Sequence, residues 1–140
     1  MTQNYKITKY NQIIYTKSPL KAQPFGIIKN NHYGFGIISP LYAVYNPQNN
    51  ASADFIHYYF SLIARLNNYL RPLINKGAKN TLLISDEMAL MGIIIYPTSL
   101  PEQKAIGDYF RNLDKMIAAK KKKLEKLRNI KASCLNLMFV

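Results

Sequence analysis

Few residues in this sequence belong to the types that carry out catalysis. The histidines are His32 and His57, and the single cysteine is Cys134. One cysteine and two histidines far apart in the sequence cannot form a closed zinc site. Asp86 and Glu87 are adjacent, so their carboxylates are expected to diverge, and an acidic start to a helical turn is the preferred interpretation. We therefore expect no catalytic group, no metal ion and no enzyme activity.

Two short stretches, one with glycines and one with a proline, are partly similar to cofactor-binding and methyltransferase motifs. Residues 34–36, Gly-Phe-Gly, lack the third glycine and the strand–turn–helix context of a dinucleotide-binding loop. Residues 46–49, Asn-Pro-Gln-Asn, are similar to part of the adenine methyltransferase motif but lack its second proline and its aromatic residue. Both stretches are interpreted as turns, and no cofactor is predicted.

Charge is the strongest compositional signal. Lysine and arginine number 19 against 7 aspartate and glutamate residues, which gives a net charge of +12. The excess is shared along the chain, with 9 basic and 3 acidic residues in 1–100 and 10 and 4 in 101–140. Such a balance favours a polyanionic partner, most simply double-stranded DNA, although a solubilising surface is the alternative.

Three polar loops contain the residue types that DNA contact requires. Lysines on exposed loops neutralise phosphates, and amide side chains can read base edges. The candidate DNA-binding residues are Lys17, Ser18, Lys21 and Gln23 in the first loop, Lys29, Asn30, Asn31, His32 and Tyr33 in the second, and Lys76, Lys79 and Asn80 in the third. Each loop alone is typical of an ordinary surface, but three loops with almost no acid among them favour nucleic-acid binding.

The elements that must position these loops are short. Strands are expected within 5–15, around 27–28, over 37–45 with a kink near Pro40, at 82–84 and at 93–96. One helix is expected over 54–70, capped by Ser52, and a single helical turn is expected after Ser85. This order predicts an α+β fold, with a small mixed domain over residues 1–98 and one long C-terminal helix over 99–140.

The C-terminal helix is predicted from an apolar seam with alternating steps of three and four residues. Ser99 and Glu102 form a capping box, and Pro101 lies in the first turn. The candidate helix-pairing residues are Ile106, Phe110, Leu113, Ile117, Leu124, Leu127 and Met138. A helix of about 57 Å, at roughly 1.5 Å per residue, is too long for the core of so small a domain. The seam is therefore expected to pair with another helix, as in a coiled coil.

The same stretch resembles the conserved spacer helix of type I restriction–modification specificity subunits. The matching residues are Leu100, Pro101, Glu102, Gln103, Ile106, Phe110, Leu113, Asp114, Ile117, Lys123, Leu124, Leu127, Lys131 and Phe139. The order of elements in 1–98 is similar to the later part of a target-recognition domain of that family. The resemblance covers essentially the whole chain, and it implies a partial DNA target-recognition domain followed by a spacer and dimerisation helix.

The resemblance also implies partners. Specificity subunits are non-catalytic, read double-stranded DNA, and dock methyltransferase (modification) subunits that perform the chemistry. With a single spacer helix, this chain is expected to pair with itself as a homodimer or with another specificity subunit. Lys120–Lys123 are interpreted as a solvated surface or, on the resemblance, as part of the helix that docks the methyltransferase.

Two alternatives remain open at this point. One is a coiled-coil adaptor that binds the methyltransferase or an intact specificity subunit without reading DNA. The other is a small DNA-modifying enzyme, against which the lack of a nucleophile, metal or methyl-donor motif argues. The first fifteen residues have no apolar core of a signal peptide, and the longest apolar run, 88–96, is too short to span a bilayer. A cytoplasmic protein without a membrane partner is expected.

Overall fold

The computed structural model of the chain describes residues 4–76 and 82–139 and has an α+β fold with a long C-terminal helix, as predicted. The elements are β1 (Lys6–Thr8), β2 (Ile13–Thr16), β3 (Ile27–Asn30), β4 (Gly36–Ile38), β5 (Tyr42–Tyr45), α1 (Ala53–Ser61), α2 (Ile63–Leu70), β6 (Asn75–Lys76), β7 (Leu82–Leu83), a 3₁₀ turn (Met88–Leu90) and α3 (Leu100–Met138). The chain divides into two compact units after Gly107, because the first two turns of α3 pack with the domain.

The core of the first unit forms on an antiparallel sheet in the order β3–β2–β5. Ile13 and Tyr15, two residues apart, both lie on the buried face of β2. Helix α1 packs on this sheet through β3. The Tyr15 hydroxyl donates to the carbonyl oxygen of Phe25 at 2.9 Å, and burial raises the pKa of Tyr15 well above its ordinary value. The buried hydroxyl therefore has its partner, and this tyrosine acts as a core residue.

A separate two-stranded ribbon, β1 with β4, has an unusual distribution of side chains. Its register pairs Ile7 with Ile37, and both side chains are exposed. Thr8, on the other face of β1, is buried instead. Half-covered antiparallel ribbons normally turn their apolar face inward. Here the outer face is the apolar one.

The predicted helix over 54–70 is wrong in one respect, since the structure has two helices. Leu62 has an extended conformation (φ −78°, ψ 110°), so α1 ends and α2 begins at this residue. Leu66 and Leu70 are buried whereas Leu62 and Ile63 are exposed, although an unbroken helix would place all four on one face. The cap at Ser52 is confirmed, because its hydroxyl accepts from the Phe55 N–H at 3.4 Å.

Two strand predictions are also corrected. The stretch 37–45 forms two strands in different sheets, β4 and β5, since the chain turns between residues 39 and 41. The expected buried strand at 93–96 is not a strand. Ile93 and Ile95 are 91% and 87% exposed, and only Ile94 packs against the core. The apolar residues of this run are typical of strands, but a strand also needs a neighbouring strand to pair with. The described residues contain no strand paired with 93–96.

The start of α3 is fixed by three signals in the sequence. The Ser99 hydroxyl accepts from the Glu102 N–H at 3.4 Å, as a capping box requires. Gln103 is buried and makes hydrogen bonds to three backbone groups of the domain. Gly107 lies so close to α1 that an added Cβ would be 2.7 Å from the Cβ of Asp54. Only glycine fits this helix crossing without displacing the backbone.

The second unit is the part of α3 after Gly107. None of the described residues from 108 to 139 is buried. The exposed large apolar side chains include Phe110, Met116, Ile117, Leu124, Leu127, Ile130 and Met138. A polar helix with an uncovered apolar stripe gains little stability from burial within this unit, and the predicted pairing of this stripe with another helix stays a prediction.

Candidate functional site

The most distinctive polar arrangement in the domain is the loop of residues 31–35, between β3 and β4. Asn31 is buried, and its side-chain nitrogen lies within hydrogen-bond distance of Thr8 Oγ1 (3.2 Å), the Lys9 carbonyl (2.9 Å) and the Gly34 carbonyl (2.6 Å). Its side-chain oxygen accepts from the Tyr33 N–H at 2.9 Å. One amide therefore fixes the loop to the end of β1.

The predicted second DNA-binding cluster assumed exposed amides at Asn30 and Asn31, and that assumption is wrong. Asn30 is also buried, and its amide nitrogen donates to Asp54 Oδ1 at 2.8 Å and to Asn11 Oδ1 at 3.2 Å. Both side chains are engaged inside the domain. Their amides hold the loop in place rather than point toward a groove.

The histidines, far apart in the sequence, lie close together in the fold. The ring centroids of His32 and His57 are 5.6 Å apart. His32 Nε2 lies 2.6 Å from Asp54 Oδ1, and the Asn30 N–H donates to His57 Nδ1 at 3.1 Å. Because Asp54 is in the first turn of α1, these contacts fasten the 31–35 loop to that helix. His32 is half-buried and lies beside the exposed Tyr33.

Lys17 of the first predicted cluster has a partner within the domain. Its ammonium group forms an ion pair with Asp86, and Lys6 binds the other carboxylate oxygen at 2.7 Å. Burial alone would raise the pKa of Asp86, but the hydrogen bonds and charges of Lys17 and Lys6 outweigh it and hold that pKa below its ordinary value. The interpretation of Asp86 as only an acidic start to a turn is therefore incomplete.

The remaining residues of the first cluster lie on the loop between β2 and β3. Lys21 is exposed, whereas Ser18 and Gln23 are half-buried. The backbones of Leu20 and Gln23 hydrogen-bond to each other across a tight turn. Thr16 pairs with Ile27 at this end of the hairpin. Asn30 pairs with Ile13 at the other end, so four residue pairs, or roughly 10 Å, separate the first cluster from the 31–35 loop. The first predicted cluster and the 31–35 loop of the second therefore lie at opposite ends of the β2–β3 hairpin.

The third predicted cluster is only partly described. Lys76 belongs to the backbone of β6, which pairs with β7. Lys79 and Asn80 lie outside the described residues. This cluster therefore stays a prediction.

The helix-pairing residues form a mostly uncovered surface. Ile106 and Leu113 are half-buried, while Phe110, Ile117, Leu124, Leu127 and Met138 are exposed. They recur at the spacing of one helix face. The same register also passes through Lys120 and Lys131, so two lysines interrupt the apolar stripe, and its partner helix stays a prediction.

Within residues 4–76 and 82–139, no three histidine, cysteine, aspartate or glutamate side chains are placed to hold a metal ion. In the same part of the chain, no helix is both long and apolar enough to cross a membrane.

Sequence reasoning missed the aromatic and apolar surface beside the 31–35 loop. Tyr33 is 99% exposed and was expected near DNA, but Phe35, 74% exposed, was not singled out. The outer face of the β1–β4 ribbon, with Ile7 and Ile37, continues from it. In β1 the apolar Ile7 stands between the polar Lys6 and Thr8, but in β4 Ile37 and Ile38 are consecutive, so the sequence does not show which of these side chains face outward. Their direction depends on the strand pairing, which the sequence does not reveal.

No protein-family model matches the chain, and no curated protein sequence matches it.

Proposed function

We propose that this chain is a non-catalytic, DNA-binding component of the type I restriction–modification specificity type, which pairs through α3 and docks methyltransferase subunits. The observation that carries the proposal is the surface of α3. Its 39 residues combine the apolar seam with the spacing of the spacer helix, and the described part after Gly107 has no buried residue. A helix of this kind needs a partner helix to cover its apolar stripe.

The charge distribution along α3 supports an antiparallel pair of two copies. Residues 100–119 contain 3 basic and 3 acidic residues, whereas residues 120–139 contain 7 basic residues and 1 acidic residue. A parallel pair would bring the two strongly basic halves side by side. An antiparallel pair brings each basic half beside the half that contains Glu102, Asp108 and Asp114, which lowers the repulsion.

The charged side chains of the domain support the DNA-binding part of the proposal, because carboxylates are paired internally whereas several exposed lysines have no ion pair among the described residues. Two of the carboxylates before residue 100, Asp54 and Asp86, already contact His32 or lysines inside the domain. Lys9, Lys21 and Lys29 are exposed, and the described residues contain no ion pair for them. An exposed positive surface with few available carboxylates attracts a polyanion.

A specific observation favours the adaptor as second candidate. Asn30, Asn31 and Lys17, which were expected to contact DNA, are engaged within the domain. A protein that pairs through α3 and docks a methyltransferase without reading DNA would have the same helix. The adaptor differs from the first candidate only in its affinity for duplex DNA.

Binding of the purified chain to a random-sequence duplex, measured against salt concentration, separates the candidates. The chain should be measured alone and together with a partner methyltransferase. The DNA-binding proposal predicts an affinity that falls steeply with salt, because each neutralised phosphate releases counterions. Co-purification with the methyltransferase and no DNA binding by either sample would establish the adaptor. Methyl transfer by the chain alone would contradict both candidates.

A further inference from the structure

We propose that the loop of residues 31–35 is an aromatic wedge that inserts Tyr33 and Phe35 between base pairs of duplex DNA from the minor groove. This inference rests on the proposed DNA-binding function and names the contact that the loop makes. Proteins that bind the minor groove in this way insert apolar side chains at a base step and unstack it.

The first support is the display of the two aromatic rings. Tyr33 is almost completely exposed, and Phe35 is exposed to a similar extent although phenylalanine has no polar atom to offer water. Exposed aromatic pairs of this kind are costly in water unless a partner covers them. Tyr33 and Phe35 lie on the same short loop, with only Gly34 between them.

The second support is the rigidity of the loop. The Asn31 amide nitrogen lies within hydrogen-bond distance of three oxygens and, together with the contact of His32 with Asp54, it fixes the loop at both its β1 side and its α1 side. Gly34 has a φ of +97°, a conformation that other residues rarely adopt. A wedge must keep its shape while it separates stacked bases, and these contacts reduce the entropy that binding would otherwise cost.

The third support is the charge around the rings, which favours DNA over a protein partner. Lys9 is exposed and its carbonyl accepts from Asn31, while Lys29 is exposed two residues before the loop. Asp54, the nearby carboxylate, is buried against His32 and Asn30. Lysine is depleted at the centres of protein interfaces, whereas aromatic wedges on DNA are flanked by cations that bind the adjacent phosphates.

The outer face of the β1–β4 ribbon fits the same partner. Ile7 and Ile37 form an exposed cross-strand pair, and the exposed Lys9 and Phe35 are the residues that follow β1 and precede β4 in the chain. When a wedge opens a minor groove, the apolar face behind it contacts sugar edges. The ribbon then loses its exposed apolar area on binding.

The test compares the full chain with Tyr33→Ser, Phe35→Ser and the double variant, and uses Leu41→Ser as the matched control. Leu41 is an exposed apolar residue on the turn between β4 and β5. Because all three positions are exposed, unchanged thermal unfolding is expected for every variant. Binding and fluorescence are measured on a duplex with 2-aminopurine at successive steps, and end-to-end energy transfer reports bending.

The wild-type chain is expected to raise 2-aminopurine fluorescence and to bend the duplex. Tyr33→Ser should weaken binding about 10-fold, in line with the ~1–3 kcal/mol of one stacked base, and should abolish the fluorescence change. The slope of affinity against salt should not change, since no charge is removed. Leu41→Ser should behave as the wild type.

Three results would overturn the wedge. Salt-dependent DNA binding by the wild type, with equal affinity and fluorescence for the Tyr33 and Phe35 variants, refutes the wedge and leaves the proposed function intact. Variants that keep DNA binding but lose the methyltransferase subunits identify the loop as a protein-docking surface. Failure of the wild-type chain to bind DNA under any condition refutes both the wedge and DNA binding.

Discussion

The side-chain oxygen of Gln103 accepts a hydrogen bond from the backbone N–H of Ser52 at 2.9 Å. Ser52 is the residue that caps α1, and Gln103 lies in the first turn of α3. The Gln103 amide nitrogen also donates to the carbonyl oxygens of Asn50 (3.0 Å) and Pro97 (2.8 Å). One buried side chain therefore joins the start of α1, the start of α3 and the chain that enters each helix.

Replacing Gln103 tests this junction. Gln103→Met keeps the size of the side chain but leaves the Ser52 N–H and two carbonyl groups without their partner. We expect the free energy of unfolding to fall by about 1–3 kcal/mol, the cost of an unpaired buried polar group. Urea unfolding followed by tyrosine fluorescence measures it. Gln48→Met, at an exposed position, is the control and should change the stability by less than about 0.5 kcal/mol. Equal stability of both variants would contradict the structural role.

The pH dependence of stability should reveal the Asp86 cluster. Because Lys17 and Lys6 hold its pKa below the ordinary value, Asp86 binds a proton more weakly in the folded chain than in the unfolded one. Its contribution is therefore present above the unfolded pKa and is lost as pH falls through about 4 and below. Unfolding measured between pH 2 and pH 7 should show a smaller acid loss for Lys17→Met. Lys21→Met, on the same loop but exposed, should follow the wild type. An identical acid loss in the two variants would argue against the ion pair.

Local signals in the sequence predicted the starts of α1 and α3 well. The caps at Ser52 and Ser99 each accept a hydrogen bond from an N–H in the first turn that follows, and the Ser85 hydroxyl accepts one from the N–H of Met88. Such contacts span three residues, so the residue types that form them stand together in the sequence. The long C-terminal helix was predictable for the same reason, since its seam repeats with a fixed local period.

The candidate site was less predictable, because it depends on contacts between distant residues. Lys17 and Asp86 are 69 positions apart, and Asn30 and Asp54 are 24 apart. A polar residue in a turn-rich stretch can face water or hold the turn from inside, and composition does not distinguish the two. Asn31 belongs to the second kind, and Lys29 and Tyr33 are the exposed residues of its cluster.

The seam of α3 makes a separate prediction about assembly. Leu113→Glu and Leu124→Glu should each abolish self-association, because each would place an unpaired carboxylate in the paired interface. Lys122→Glu is the control, since residue 122 lies on the side of the helix opposite Leu124. Sedimentation at tens of micromolar, where a seam of this length should pair, gives the mass of each. A wild-type chain that sediments as a monomer under these conditions would remove the homodimer.

The lysines of the domain should differ in their contribution to DNA binding, although the sequence predicts the same phosphate-binding role for Lys17 and Lys29. Lys29 is exposed without an ion pair among the described residues, whereas Lys17 is engaged by Asp86. Lys29→Met should therefore weaken binding to every duplex alike and reduce the slope of log affinity against log salt by about 0.9, the value for one released phosphate contact. Lys17→Met should leave the slope unchanged, because its ammonium group neutralises a carboxylate of the same chain. Filter binding or anisotropy from about 50 to 200 mM salt covers the range where such a slope is measurable. If Lys17→Met lowers the slope as much as Lys29→Met, then Lys17 leaves Asp86 for a phosphate when DNA binds, and the ion pair belongs to the free protein alone.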